Sequence, residues 1–82
     1  MELTAVIPAY HAADHIAEAV ASLYAQSSPP REIIVVDDGS TDETAAVAEA
    51  AGARVIRQSN GGPASARNTG IRAATTEWVV LL

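Results

Sequence analysis

The chain has no cysteine, no lysine and no phenylalanine, and its five basic residues are all arginine. Without cysteine there is neither a disulfide framework nor a thiolate zinc site. Without lysine, Walker-type nucleotide hydrolysis is excluded, because the G-K-[ST] element that reaches the terminal phosphates cannot be written. Ten acidic residues leave a formal charge of −5, the opposite of the dense basic patch a nucleic-acid surface needs. No apolar run approaches the ~20 residues of a membrane span. Met1-Glu2-Leu3-Thr4 carries no positive leader, so no signal peptide is expected and the cytoplasm is the default location.

Aromatic side chains are also scarce. Only Tyr10, Tyr24 and Trp78 are present, 4% of a chain that is 49% hydrophobic. The core must then be built from Ala, Val, Ile and Leu, which suits helices lying close on a sheet. Eighty-two residues give room for one domain, expected over residues 1–82. A chain this short buries only about 60–65% of its unfolded surface, so marginal stability is expected.

The pattern alternates between strand and helix. Leu3 to Ile7 is a short apolar run stopped by Pro8. From Ala13 to Gln26, Ile16, Val20, Leu23 and Tyr24 recur at helical spacing, and Ser27-Ser28-Pro29-Pro30 ends the helix. Glu32 to Val36 carries four β-branched residues in a row, the pattern of a strand covered on both faces. Asp37-Asp38-Gly39-Ser40 then reads as a sharp turn. Ser40 with Glu43 predicts a capping box at the start of a helix that ends at Gly52. Ala53 to Arg57 is a third strand. Asn60-Gly61-Gly62-Pro63 leads into a helix reaching about Ala74, and Gly70 within it implies a packing constraint. Glu77 to Leu82 is a fourth strand, with Trp78 expected in the core. The reading is β-α-β-α-β-α-β, a parallel sheet with helices on its faces. An apolar strand at the sheet edge would be a pairing hazard, so either the chain is a fragment or another chain covers that edge.

Ligands of open parallel sheets bind beyond the carboxyl ends of the strands. Pro8-Ala9-Tyr10-His11, Asp37-Asp38-Gly39-Ser40 and Gln58 to Gly62 all fall there. They bring a ring, two carboxylates and a glycine-rich turn to one rim. His11 and His15 read as surface residues, and Asp14 and Glu18 as a solvated helix face.

Three stretches in this order resemble family 2 glycosyltransferases: Ala5-Val6-Ile7-Pro8-Ala9-Tyr10, Ile33 to Asp42 with Asp37-Asp38-Gly39-Ser40-Thr41-Asp42, and Asn60 to Gly70 with Ala66-Arg67-Asn68. The resemblance covers essentially the whole chain. It implies a three-layer α/β/α unit with a mostly parallel four-stranded sheet in the order 3-2-1-4, the Rossmann-like half of a GT-A nucleotide-diphospho-sugar transferase fold. It also implies that Asp38 accepts a hydrogen bond from the imino N–H of a uracil or thymine base, which cytosine lacks. Asp37 would support the turn or reach the ribose. Pro8, Ala9 and Tyr10 would line base and ribose, and Asn60, Gly61 and Gly62 would bring backbone close to the base. Arg67 would reach the nucleotide or brace the Asp37-Asp38 turn.

The implied partner is a nucleotide sugar, a UDP- or dTDP-sugar, and the implied reaction is inverting glycosyl transfer. The family uses a divalent metal, Mg or Mn, held by an Asp-x-Asp motif expected just after Leu82. With that motif and the base absent, no catalytic or metal-ligating residue is assigned here, and the 82 residues are expected to be inactive alone. Such a parent enzyme is compatible with a membrane-peripheral position. The family usually has Asn where this chain has His11.

Four rivals fit less well. A dinucleotide-binding oxidoreductase needs glycines after the first strand, where Pro8-Ala9-Tyr10-His11 stands. A haloacid-dehalogenase-like phosphatase needs an Asp at Val36 and a lysine, and a receiver domain needs a lysine too. Nucleotidyltransferases begin with a glycine- and arginine-rich loop. The remaining alternative is a non-catalytic module that forms a homo-oligomer through its last strand.

Overall fold

The computed structural model describes residues 2–82; Met1, the first residue of the expected unit, lies outside them. The elements are β1 (Leu3–Ala9), α1 (Ile16–Tyr24), β2 (Glu32–Asp38), α2 (Thr44–Ala50), β3 (Arg54–Gln58), α3 (Pro63–Ala73) and β4 (Trp78–Leu81). All strand pairs are parallel and the sheet order is β3-β2-β1-β4, as the sequence implied.

The period of two along each strand sorts the core into two layers. Ala5, Ala9, Ile33 and Val35 pack with Ile16 and Val20 of α1 and Ala48 of α2 on one face. Val6, Ile34 and Val36 pack with Ala66 of α3 on the other. This is why Ile33-Ile34-Val35-Val36 is unbroken: both faces of β2 are covered, and all four side chains are buried.

β1 does not stop at Pro8 but runs on to Ala9, with Pro8 paired to Val36 and Ala9 to Asp37. In a strand, backbone groups point alternately to the two neighbours. The Val6 carbonyl accepts the Leu82 N–H at 3.0 Å, so Val6 and Pro8 both direct their backbone toward β4. β4 pairs with β1 only as far as Val6, so the N–H that Pro8 lacks would have had no ladder partner.

The capping box is not formed. Ser40 Oγ accepts the His11 N–H (2.8 Å), a different loop's donor, and α2 begins at Thr44. Asp42 takes the capping part instead, its Oδ1 accepting the Thr44 N–H at 3.0 Å. The far end of α2 is as expected. Gly52 has φ 103°, and its N–H and that of Ala53 return to the carbonyls of Glu49 and Ala48.

Trp78 is not core. It is 54% exposed, because α1 and α2 lie over the first three strands and nothing among the described residues covers that face of β4. Val80, Leu81 and Leu82 share this exposure. No helix is long and apolar enough among the described residues to cross a membrane.

Gly70 has the packing reason the sequence demanded. A Cβ there would stand 2.3 Å from Val6 Cγ1, and Val6 is a fully buried, β-branched residue with little freedom to move. Replacing Gly by Ala in a helix is worth about 1 kcal/mol of propensity, but overpacking costs about 1–3 kcal/mol. Gly70→Ala is therefore expected to lower stability in urea unfolding. An unchanged or raised midpoint would show that α3 sits less tightly on β1.

Candidate nucleotide site

The carboxyl ends of β1 and β2 and the loop after β3 meet on the α3 side of the sheet. There they enclose a cavity of about 280 Å³ lined by Pro8, Ala9, Tyr10, Asp38, Asn60, Gly62, Pro63 and Ala66. Six of the nine residues singled out in the sequence are in that wall.

Asp38 is its organising group. As an even-numbered residue of β2 it follows Ile34 and Val36 onto the α3 face, and it is buried. Its Oδ1 accepts Gln58 Nε2–H at 2.8 Å and the Gly61 N–H at 2.9 Å, and its Oδ2 accepts the Gly62 N–H at 2.9 Å. The Asp38 carbonyl also accepts Asn60 Nδ2–H at 3.1 Å. Gly62 is the residue before α3, so the carboxylate sits at the positive end of that helix. The Gln58 amide, then the Gly61 N–H, hold the Asp38 pKa below the ordinary carboxylate value; desolvation opposes them, and the Gly62 N–H adds to the lowering.

The close approach of the two loops requires Gly39. Its φ is 85°, and a Cβ would stand 2.9 Å from the Asn60 nitrogen, so any side chain here would push the glycine-rich turn away from Asp38.

Asp37, being odd-numbered, goes to the opposite face. It is buried, its Oδ1 accepts the Ser40 N–H at 3.0 Å, and it lines a second, polar hollow with Gly39, Ser40, Arg57, Gln58 and Ser59. Of the two positions considered for it, this geometry is that of a turn support. Gly61 reaches the site through its N–H. Arg67 is half-buried on α3, outside the cavity wall.

The β1–α1 loop is fixed from across the rim. His11, Ala12 and Ala13 donate their N–H groups to Ser40 Oγ (2.8 Å), Thr44 Oγ1 (2.9 Å) and Asp42 Oδ2 (3.4 Å). His11 is exposed but not idle. It has φ 49°, the left-handed region that Asn and His enter more readily than most side chains, and its ring stacks on Tyr10 at 4.0 Å. Hydrogen bonds from the Thr44 hydroxyl, first, and from the N–H groups of Thr44 and Ala13 lower the Asp42 pKa, with a smaller contribution from His11.

Sequence reasoning put Gln58 at the rim without giving it a role, and left Pro63 and Ala66 out of the site. The role of Gln58 was within reach: Asp38 and Gln58 are register partners, and a strand pairing written out from the sequence would have put their side chains together.

With this geometry in view, the comparisons with known proteins are decisive. The family model of glycosyl transferase family 2 matches residues 4–82. The chain belongs to that family. It is 42% identical over 79 residues to the uncharacterized glycosyltransferase EpsJ of Bacillus subtilis (strain 168), covering 90% of this chain and 23% of that protein. It is 40% identical over 85 residues to the succinoglycan biosynthesis protein ExoO of Rhizobium meliloti (strain 1021), covering 99% of this chain and 24% of that one. The chain therefore spans about a quarter of the length of these relatives. Among solved structures, glucosyl-3-phosphoglycerate synthase from Mycobacterium tuberculosis, in complex with Mn2+, UDP and glucosyl-3-phosphoglycerate, superposes with a TM-score of 0.86 at 28% identity, over 99% of this chain and 32% of that one. S. aureus TarS gives 0.89 at 32% identity over 100% of this chain and 27% of that one.

The Mycobacterium tuberculosis synthase is in complex with Mn2+, but the residues here do not make a site for such an ion: among the described residues no group of three or more His, Asp or Glu stands in metal-holding geometry. Asp38 and Asp42 are each occupied by N–H and O–H donors instead.

These two carboxylates link the stability of the fold to pH. Both have folded pKa values below the ordinary one. Their stabilisation is therefore complete above the ordinary carboxylate pKa and is lost as pH falls through the lowered values. Urea midpoints should hold steady from neutral pH down to the ordinary carboxylate range and fall below it. Asp38→Asn should start lower at neutral pH and lose less on acidification. Parallel curves for the two proteins would contradict the assignment.

Proposed function

We propose that this chain is the nucleotide-binding part of a sugar-nucleotide-dependent, inverting glycosyltransferase, and that the cavity at Asp38 takes the base of a UDP- or dTDP-sugar. One observation carries the reading: a buried carboxylate, kept ionised by three N–H donors, stands in the wall of an otherwise largely apolar, base-sized hollow. An ionised carboxylate only accepts hydrogen bonds, so it suits a base edge that donates a ring N–H, as uracil and thymine do. UDP in the Mycobacterium tuberculosis synthase supports the same choice.

In this reading Asp38 accepts the imino N–H, and the half-exposed Tyr10 ring supplies a flat contact for base or ribose. Pro8 and Ala9 line the same wall, and Asn60, Gly61 and Gly62 bring backbone against the base edge. Asp37 keeps the Asp37-to-Ser40 turn in shape rather than touching the ligand. Arg67, one turn into α3, would reach the nucleotide or brace the Asp37-Asp38 turn. What these residues contribute to transfer is binding and orientation of the donor. A divalent ion, Mg or Mn, would offset charge on the departing diphosphate. The residues described here would not hold it, and residues 1–82 bind donor nucleotide without transferring sugar.

A second reading is favoured by the exposed apolar edge at Trp78, Val80, Leu81 and Leu82: a non-catalytic module that self-associates through β4. The two differ in what Asp38 does. In ligand-observed NMR, UDP should receive saturation at its uracil protons from the chain, and Asp38→Ala should abolish it. No transfer at millimolar UDP, together with a dimer on size-exclusion chromatography, would favour the second reading instead.

A further inference from the structure

A carboxylate has about four lone-pair positions. In Asp38 both on Oδ1 are taken, by Gln58 Nε2–H and the Gly61 N–H, whereas Oδ2 has one partner, the Gly62 N–H. One acceptor position therefore remains open, on Oδ2, in a residue that lines the cavity. The group deciding which oxygen stays open is Gln58. Its amide is fixed at both ends by α3: Oε1 accepts the Thr69 hydroxyl at 2.6 Å, and Nε2 also reaches Ser65 Oγ at 3.3 Å. A flipped amide would set Oε1 against the carboxylate, so the ionised Asp38 selects the orientation with Nε2 facing it. Gln58 is outside the cavity wall and acts on a ligand only through Asp38.

We infer that Gln58 is the positioning residue of this site: it locks Oδ1 so that Oδ2 alone meets the ligand, and thereby makes the site select bases carrying a ring N–H donor over cytosine. This rests on the nucleotide reading proposed above. Without Gln58 the carboxylate is held on Oδ1 by the Gly61 N–H only and takes up a proton more readily. It is also free to turn Oδ2 away from the base edge, which costs uracil its imino hydrogen bond and leaves cytosine, which makes none, unchanged. The other titratable groups around the rim are Tyr10 and His11 on the β1–α1 loop, Asp37 on β2, Asp42 on the loop before α2, Arg57 on β3 and Arg67 on α3, and comparison at matched pH against the unaltered chain cancels their contribution.

Two variants of the whole chain test this. In the ligand-free protein, carbon-detected NMR of the Asp38 carboxyl should titrate below the ordinary range, and Gln58→Leu should move that titration upward. Gln58→Leu should also weaken UDP by about tenfold, the usual loss for a charge-assisted hydrogen bond, and narrow the preference for UDP over CDP. Gln58→Glu keeps the shape but sets two carboxylates together. Its UDP affinity relative to the unaltered chain should be low at neutral pH and recover on acidification, when one shared proton restores a donor. A merely structural role would not produce that pH profile. An Asp38 titration untouched by Gln58→Leu, or a flat affinity ratio for Gln58→Glu, overturns the inference. If the unaltered chain fails to bind UDP, the nucleotide reading falls while the carboxyl titration still decides the role of Gln58. Should Gln58→Leu lose the native amide spectrum, Gln58→Glu decides alone, by its titration and the same affinity ratio.

Discussion

The structure of the rim depends on one carboxylate receiving three N–H groups from a segment twenty or more residues away. Asp38 at the end of β2 holds Gln58 at the end of β3 and the amides of Gly61 and Gly62 at the entry to α3. Those contacts do three things together. They close the β3–α3 turn over the sheet, offset the unpaired donors at the start of a helix, and keep the carboxylate charged in a buried position. Gly39 is the steric condition for all of it, because a side chain there would meet Asn60.

A second set of contacts fixes the opposite wall. Side chains of Ser40, Asp42 and Thr44 accept consecutive N–H groups from His11, Ala12 and Ala13, so the loop carrying Tyr10 is held by the loop that follows Asp38. The segment from Asp37 to Thr44 thus faces both ways: its strand-end carboxylate organises the turn before α3, and its polar residues organise the loop after β1. This explains why a run of Asp, Ser and Thr sits in a mostly apolar chain. It also explains why the capping box is not made, since its serine is already engaged.

The fold was legible because its signals are redundant. Four apolar runs, three helical patterns and breakers at Pro29-Pro30, Gly52 and Asn60-Gly61 agree on the same alternation, and the family resemblance supplied the strand order. The gathering of Pro8, Tyr10, Asp38 and Asn60 followed from strand ends alone. The misreadings have specific causes. Adjacent Asp37 and Asp38 were read as one rim feature, although the period of two sends them to opposite faces of the sheet. Pro8 was read as a stop because the one-sided pairing of β1 beyond Val6 is a tertiary fact. Trp78 was read as core from its hydrophobicity, but its strand lies at an edge that α1 and α2 do not reach. Gln58 was placed at the rim but given no role, because its contact with Asp38 depends on register, which the sequence states only after the strands are aligned.

The claim on which the rest turns is that the Asp38 carboxylate, in the free protein, is the acceptor for the Gly61 and Gly62 amides. A proton–nitrogen correlation spectrum followed from neutral pH into acid tests it directly. The amide protons of Gly61 and Gly62 should lie downfield at neutral pH and move upfield together, in a single step below the ordinary carboxylate range, while Gly52 stays still. Two glycine amides that ignore acidification, or that follow an ordinary exposed carboxylate, would contradict the account.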